Sequence, residues 1–277
     1  MKLSITGRAP EPQRCPLPRR LSRVVRTFWH VGRGLAILHW RFPRMGPAAQ
    51  RAHIERWSRE LLRILGTQLR LEGPPAAPAG SVLVMNHSSW LDIFALLATF
   101  PVRLVAKSEI RGWPVLGRLA VGAGTLFIER GRGRQAHRTN DLIAAALRSG
   151  QIIGIFPEGT TSEGDVLLPF HAALFQPAVS AQALVQPVAL RFYDRSGTPT
   201  KSAVYAGEIS LIASLWRIVS EISLTVEVRV IGPVATAGKD RRQLARECEE
   251  AIARALGVPA PKSRAPGTEG RPLAAAR

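Results

Sequence analysis

A histidine and an aspartate five residues apart, in the run Asn86-His87-Ser88-Ser89-Trp90-Leu91-Asp92, form the first grouping able to do chemistry. Residues five apart in an ideal helix lie about 140° apart around its axis, so the two cannot both be helical and touch. They meet if His87 sits in the turn before a helix, Ser88 or Ser89 caps that helix, and Asp92 occupies its first turns. The Asp92 carboxylate then holds His87 in one tautomer, and the other ring nitrogen points outward as a general base. The alternative is that the pair caps a helix or fills a polar corner. The preceding run SVLVM (residues 81–85) reads as a buried strand. Ligands of α/β sheets sit at the carboxyl ends of strands, which favours the chemical reading.

Two further strand ends are polar. Gly124-Thr125-Leu126-Phe127-Ile128-Glu129-Arg130 runs into Gly131-Arg132-Gly133-Arg134, and Phe156-Pro157-Glu158-Gly159-Thr160-Thr161-Ser162 closes another apolar run. Arg130 suits a bidentate grip on phosphate, and the turn at Gly159 and Thr160 offers backbone N–H groups and hydroxyls. Residues 131–136 formally fit a dinucleotide fingerprint. They come late in the sheet, are crowded with arginine, and lack an acidic residue ending a second strand. No GxSxG elbow marks a serine hydrolase.

The elements that must carry these residues alternate in texture. Strands are expected at Val82–Met85, Val102–Ala106, Thr125–Ile128, Ile152–Phe156, Leu184–Phe192 and Leu224–Ile231. Helical patterns lie at Trp90–Thr99, Pro114–Leu119, Gln135–Arg148 and Arg241–Leu256. This predicts an α/β fold, a central mixed sheet covered by helices. Before it, Ile54, Trp57, Leu61, Ile64, Leu65 and Leu69 recur at spacings of three and four, which predicts an amphipathic helix over Ala48–Leu71 with arginines on its other side. That helix either packs on the core or, with the shorter segment Val24–Trp40, forms an N-terminal amphipathic membrane-docking segment. Residues 1–22 read as a flexible basic tail, 73–80 as a linker and 258–277 as a second flexible tail.

The 277-residue chain carries 38 Lys and Arg against 20 Asp and Glu, and two thirds of the net charge of +18 falls within residues 1–70. Such a balance calls for a polyanionic partner, nucleic acid or an anionic membrane. Arginine outnumbers lysine 33 to 5, so part of the excess is compositional. Two cysteines, Cys15 and Cys248, have no metal or redox spacing, and no uninterrupted apolar span of about 20 residues occurs.

NHSSWLD, then GTLFIERGRGR, FPEGTTSEGDVLLPFHAALFQPA and VQPVAL, in this order and spacing, resemble the glycerophospholipid acyltransferase family, particularly bacterial 1-acylglycerol-3-phosphate acyltransferases. The resemblance spans about residues 82–232. It implies transfer of a fatty acyl group from acyl-CoA or acyl carrier protein to a lysolipid hydroxyl at the cytoplasmic membrane face, by a peripheral or monotopic protein. In that likeness His87 deprotonates the hydroxyl and Asp92 orients it. Arg130, Glu158 and Gly159, with Thr160 beside them, match positions that bind the acceptor head group and its phosphate, and Pro187 matches a motif on the acyl-donor side. No metal, cofactor or covalent enzyme intermediate is implied. The family often has Lys where His171 stands, so lysophosphatidate is the first expected acceptor and a lyso-ornithine lipid the alternative. The expected units are a helical membrane-associating segment at 23–71 and an acyltransferase domain at 72–257. The motifs favour anionic lipids over nucleic acid as partner. From another class, a non-catalytic basic module remains the rival.

Overall fold

A computed structural model describes residues 14–74, 77–128 and 134–261. Uncharged β-branched runs make the innermost strands: β2 (Val82–Met85) and β5 (Ile152–Ile155) are buried at every position, as strands covered on both faces must be. In chain order the other elements are α1 (Leu17–Trp40), α2 (Pro47–Leu65), β1 (Thr67–Glu72), α3 (Leu91–Thr99), β3 (Val102–Lys107), α4 (Leu116–Gly122), β4 (Leu126–Ile128), α5 (Arg134–Arg148), α6 (Gln176–Ala181), β6 (Val185–Tyr193), α7 (Leu211–Ser220), β7 (Leu224–Val230) and α8 (Arg241–Leu256). The strands form one sheet in the order β1-β7-β6-β2-β5-β3-β4. All neighbours are parallel except β6 and β7, so the sheet is mixed, as expected.

Alternate residues of β2 feed two cores. Leu83 and Met85 meet α2 and α3, while Val82 and Val84 meet α5 and α8. Helix α8 begins with a full capping box between Asp240 and Gln243 and ends at Gly257 in the left-handed conformation, and both boundaries are those predicted.

The N-terminal region departs from expectation. The predicted helix over 48–71 stops at Leu65, because Gly66 adopts φ +78°, and the chain continues as β1 beside β7. Leu65 and Leu69 fit a helical spacing of four, whereas Leu69 and Leu71 fit a strand; the glycine decides. The sheet therefore starts inside the segment expected to be purely helical, and residue 72 is not a domain boundary. The expected tail 1–22 is also shorter, since α1 starts at Leu17 with proline at its first turn and runs 24 residues, longer than α2. The rest of that tail, residues 1–13, and residues 262–277 lie outside the described residues.

Helix α2 buries its apolar stripe: Leu61, Leu62 and Leu65 are at most 2% exposed in the core shared with α3, and Trp57 and Ile54 pack against it. The core-packing alternative thus holds for α2. Helix α1 lies over α2, with the His30 ring stacked on Trp57 at 4.7 Å and His30 Nε2 donating to the Trp57 carbonyl at 3.0 Å. Arg23, only 5% exposed, fastens α1 to the end of α7. Its guanidinium donates to the carbonyls of Val219 (3.1 Å), Glu221 (2.6 Å) and Ile222 (3.0 Å), and lies so close over Gly66 that a Cβ there would collide with it.

Arg23→Met leaves those carbonyls buried without a donor, so it is expected to lower unfolding stability by about 2–4 kcal/mol. Urea denaturation checks this; a loss below about 0.5 kcal/mol would show that the clasp contributes nothing.

Candidate active site

Strand β2 ends at Met85, and Asn86 continues its ladder by side chain: Nδ2 donates to the Leu190 carbonyl at 3.0 Å, and the Leu190 N–H donates to Oδ1 at 2.8 Å. The backbone is thereby free to turn at His87 while staying tied to β6. Four residues later α3 begins, and Asp92 lies in its first turn. Its carboxylate folds back under the turn, where Oδ2 accepts from Ser88 N–H (2.8 Å), Ser89 N–H (2.8 Å) and His87 Nδ1 (3.0 Å). An oxygen already receiving two N–H groups is an acceptor, so Nδ1 carries the proton and Nε2 keeps its lone pair. Asp92 is fully buried and the His87 side chain is 17% exposed. His87 thus lies in the turn and Asp92 in the helix, as the sequence predicts. Ser89 Oγ accepts from the N–H of Leu91, the first residue of α3, at 3.2 Å, while the N-cap residue Trp90 makes no side-chain capping bond.

The residues after β5 close around the same histidine. The His87 ring stacks on Phe156 at 4.1 Å. The His87 N–H donates to Glu158 Oε1 at 2.6 Å, and its carbonyl accepts from Ser162 N–H (2.7 Å) and Ser162 Oγ (3.1 Å). Glu158 Oε2 accepts from Leu168 N–H at 2.9 Å. Glu158 is 2% exposed, and both its oxygens accept from main-chain N–H groups. Burial pushes its carboxyl up to about 7, against the lowering effect of the N–H groups of Leu168 and His87.

The other expected site residues fall in different places. Gly159, at φ +71°, closes the turn by donating its N–H to the Phe156 carbonyl at 3.1 Å, and Thr160 beside it is exposed. His171 is half-buried and its N–H donates to the Pro157 carbonyl at 2.9 Å. Pro187, expected on the donor side, is buried in β6 opposite Val84. It sits where the ladder with the chain after β7 slips, two residues of β6 between Val185 and Val188 facing three between Val230 and Val234, a place where a missing N–H is tolerated. Arg130 lies outside the described residues. Sequence reasoning passed over Lys107, which ends β3 at the same carboxyl edge of the sheet; its place in the row of strand ends was the available signal. It also passed over Asn86 as a brace and Ser162 as a clamp on His87. Among the described residues no cluster of three His, Cys, Asp or Glu side chains is placed to hold a metal.

Residues 68–191 match the family model described as Acyltransferase. A Neisseria meningitidis protein named 1-acyl-sn-glycerol-3-phosphate acyltransferase is 41% identical over 84% of this chain and 91% of its own length. A Pseudomonas aeruginosa protein named lyso-ornithine lipid O-acyltransferase is 37% identical over 88% of this chain and 96% of its own. Among solved structures, the 1-acyl-sn-glycerophosphate acyltransferase of Thermotoga maritima superposes with a TM-score of 0.65 at 22% identity, covering 87% of this chain and 94% of that one. At that identity the likeness concerns the fold, the same mixed sheet flanked by helices. Identity sustained along nearly the whole of two bacterial relatives, with the motif turns folded around one histidine, makes this chain a member of the acyltransferase family.

Proposed function

We propose that this O-acyltransferase moves a fatty acyl group from a thioester, acyl-CoA or acyl carrier protein, to the free hydroxyl of a lysolipid, with His87 as general base. The observation that carries the proposal is the His87–Asp92 pair at the carboxyl edge of the sheet, with its tautomer set by a buried carboxylate. His87 Nε2 takes the proton as the acceptor oxygen attacks the thioester carbon, and the C–O bond forms. The tetrahedral oxyanion then collapses, the C–S bond breaks, and the leaving thiolate takes the proton back from Nε2. Asp92 stabilises the imidazolium between the two transfers. A thioester is already activated, so positioning and one base supply the chemistry.

The acceptor we favour is 1-acylglycerol-3-phosphate, to give phosphatidic acid. Lys107 ends β3, two places from β2 and roughly 10 Å away at usual strand spacing, within reach of a glycerol phosphate for a long cationic side chain. The second reading, a lyso-ornithine lipid, is favoured by His171 where the family often has Lys and by the Pseudomonas relative.

Docking on anionic lipids at the cytoplasmic membrane face belongs to the same proposal, and α1 is the element that supports it. Opposite its buried stripe of Arg23, Thr27, His30 and Gly34, α1 exposes Leu17, Leu21, Val25, Phe28 and Trp29, the last at 76%. Arg19, Arg26 and Arg33, seven apart, line the edge of that stripe, and α1 holds no acidic residue. Such a helix lies in a bilayer interface with its guanidinium groups among the head groups. No helix among the described residues is long and apolar enough to cross a membrane.

His87→Ala is expected to lower acyl transfer by about 10²–10⁴-fold with the fold and vesicle binding intact, measured with labelled acyl donor and a panel of lysolipids; unchanged activity would sink the proposal. Arg130→Ala should raise KM for a phosphate-bearing acceptor far more than for the acyl donor, and equal effects on both would remove Arg130 from the head-group site. Glu158 has its folded-state pKa raised from 4.5 to about 7. Its contribution is therefore fully present below about pH 4.5 and lost as pH rises through 7, by up to about 3 kcal/mol. Glu158→Gln should flatten that part of the stability–pH curve in urea titrations; parallel curves would show that Glu158 does not titrate there.

A further inference from the structure

Helix α7 has two faces with different chemistry. Ser210 caps it, its hydroxyl accepting from Ala213 N–H at 3.2 Å. On the inner face Ser214 and Ile218 are fully buried, and Ser214 Oγ accepts from Trp90 Nε1 at 3.0 Å. Trp90 belongs to the turn that carries His87, so α7 rests directly on the catalytic turn. On the outer face, about 160–200° around the axis from Ser214, stand Ile212 and Trp216, one turn apart and 77% and 40% exposed. Leu211 adds a further exposed apolar side chain, Arg217 is the one charged residue of the helix, and α7 contains no acid.

Helix α7 is also bound to α1. Arg23 holds the Val219 and Glu221 carbonyls at the end of α7, and Cys15 N–H donates to the Ser220 carbonyl at 2.8 Å. The exposed apolar residues of α1 and α7 therefore belong to one rigid pair of helices. An exposed isoleucine and tryptophan whose only charged neighbours on both helices are basic suit a lipid head-group layer, where arginine meets phosphate and tryptophan settles at the boundary. A protein partner of ordinary surface chemistry would not require every charge on both helices to have one sign.

We infer that α7 is a second membrane-contacting element, inserted beside α1, that sets the catalytic turn about one helix diameter from the lipid surface. This rests on the proposal that the acceptor is a lysolipid. A lysolipid then reaches His87 by moving past α7 without leaving the bilayer.

The two cysteines of the chain are buried, so a cysteine introduced by Ile212→Cys can be labelled selectively with an environment-sensitive fluorophore. Val25→Cys on α1 and Arg254→Cys on α8 serve as comparison sites. Vesicles of phosphatidylethanolamine and phosphatidylglycerol, some with brominated acyl chains, are expected to shift the 212 label to the blue and quench it as they do the 25 label. The 254 label should stay unchanged. Quenching at 25 without 212 would overturn the role of α7 and leave docking by α1 standing, and quenching at neither would overturn both. In parallel, Ile212→Ser should weaken vesicle binding about tenfold. It should slow transfer to vesicle-embedded lysolipid, while transfer to detergent-dispersed lysolipid is unaffected. An equal loss in both formats would assign Ile212 to packing and overturn the inference; absence of transfer by the unmodified protein in either format would overturn the acyltransfer proposal instead.

Discussion

A buried carboxylate governs the centre of this protein. Asp92 has no exposed surface, and a buried carboxylate is tolerated where donors meet it; here the donors all meet one oxygen, and Oδ1 has no hydrogen-bond partner among the described residues. Its Oδ2 gathers two main-chain N–H groups and an imidazole N–H from the turn just before its own helix, where the helix dipole also favours negative charge. These bonds bend residues 87–89 around one oxygen and set the protonation pattern of His87. Folding of the turn and fixing of the His87 tautomer are thus the same event.

The turn is then braced from three directions. Asn86 ties it to β6 by a pair of bonds that imitate a strand ladder. The loop after β5 takes both ends of the His87 peptide, Glu158 at the N–H and Ser162 at the carbonyl, and Phe156 covers one face of the ring. From behind, Ser88 accepts the Tyr205 N–H at 2.8 Å, and α7 bonds Trp90. Restraint from three sides holds the imidazole in one position and one orientation. Glu158 is in this view a staple between two loops, which explains why a motif residue with a carboxylate lies out of contact with solvent.

On the helix side, two arginine-rich amphipathic helices have opposite fates. Helix α2 turns its leucines into the core beside α3, while α1 places a row of leucine, valine and aromatic side chains outward and buries instead an arginine, a threonine, a histidine and a glycine. Arg23 makes that inversion possible, because carbonyls at the end of α7 and beyond satisfy a guanidinium that would otherwise be costly to bury.

Much of this was legible in the chain of residues. Local rules of strand alternation, helical spacing and capping locate β2, β5, α3 and α8 to within a residue or two, and the restricted geometry of an HxxxxD pair already demands that His87 precede the helix holding Asp92. Family motifs supplied the class of chemistry. Periodicity could not tell Leu69 in a strand from Leu69 in a helix, because one leucine fits both repeats and the decision lay with the conformation of Gly66 and a partner strand 157 residues away. Nor could it say which apolar stripe is buried, since α1 and α2 carry similar patterns and only packing distinguishes an inner face from an outer one. The task of Glu158 was equally hidden: its bonds reach back 71 residues to His87 and forward to Leu168. Sequence determined what depends on neighbours within a turn or two, and the tertiary structure decided what depends on which distant main-chain groups a side chain meets.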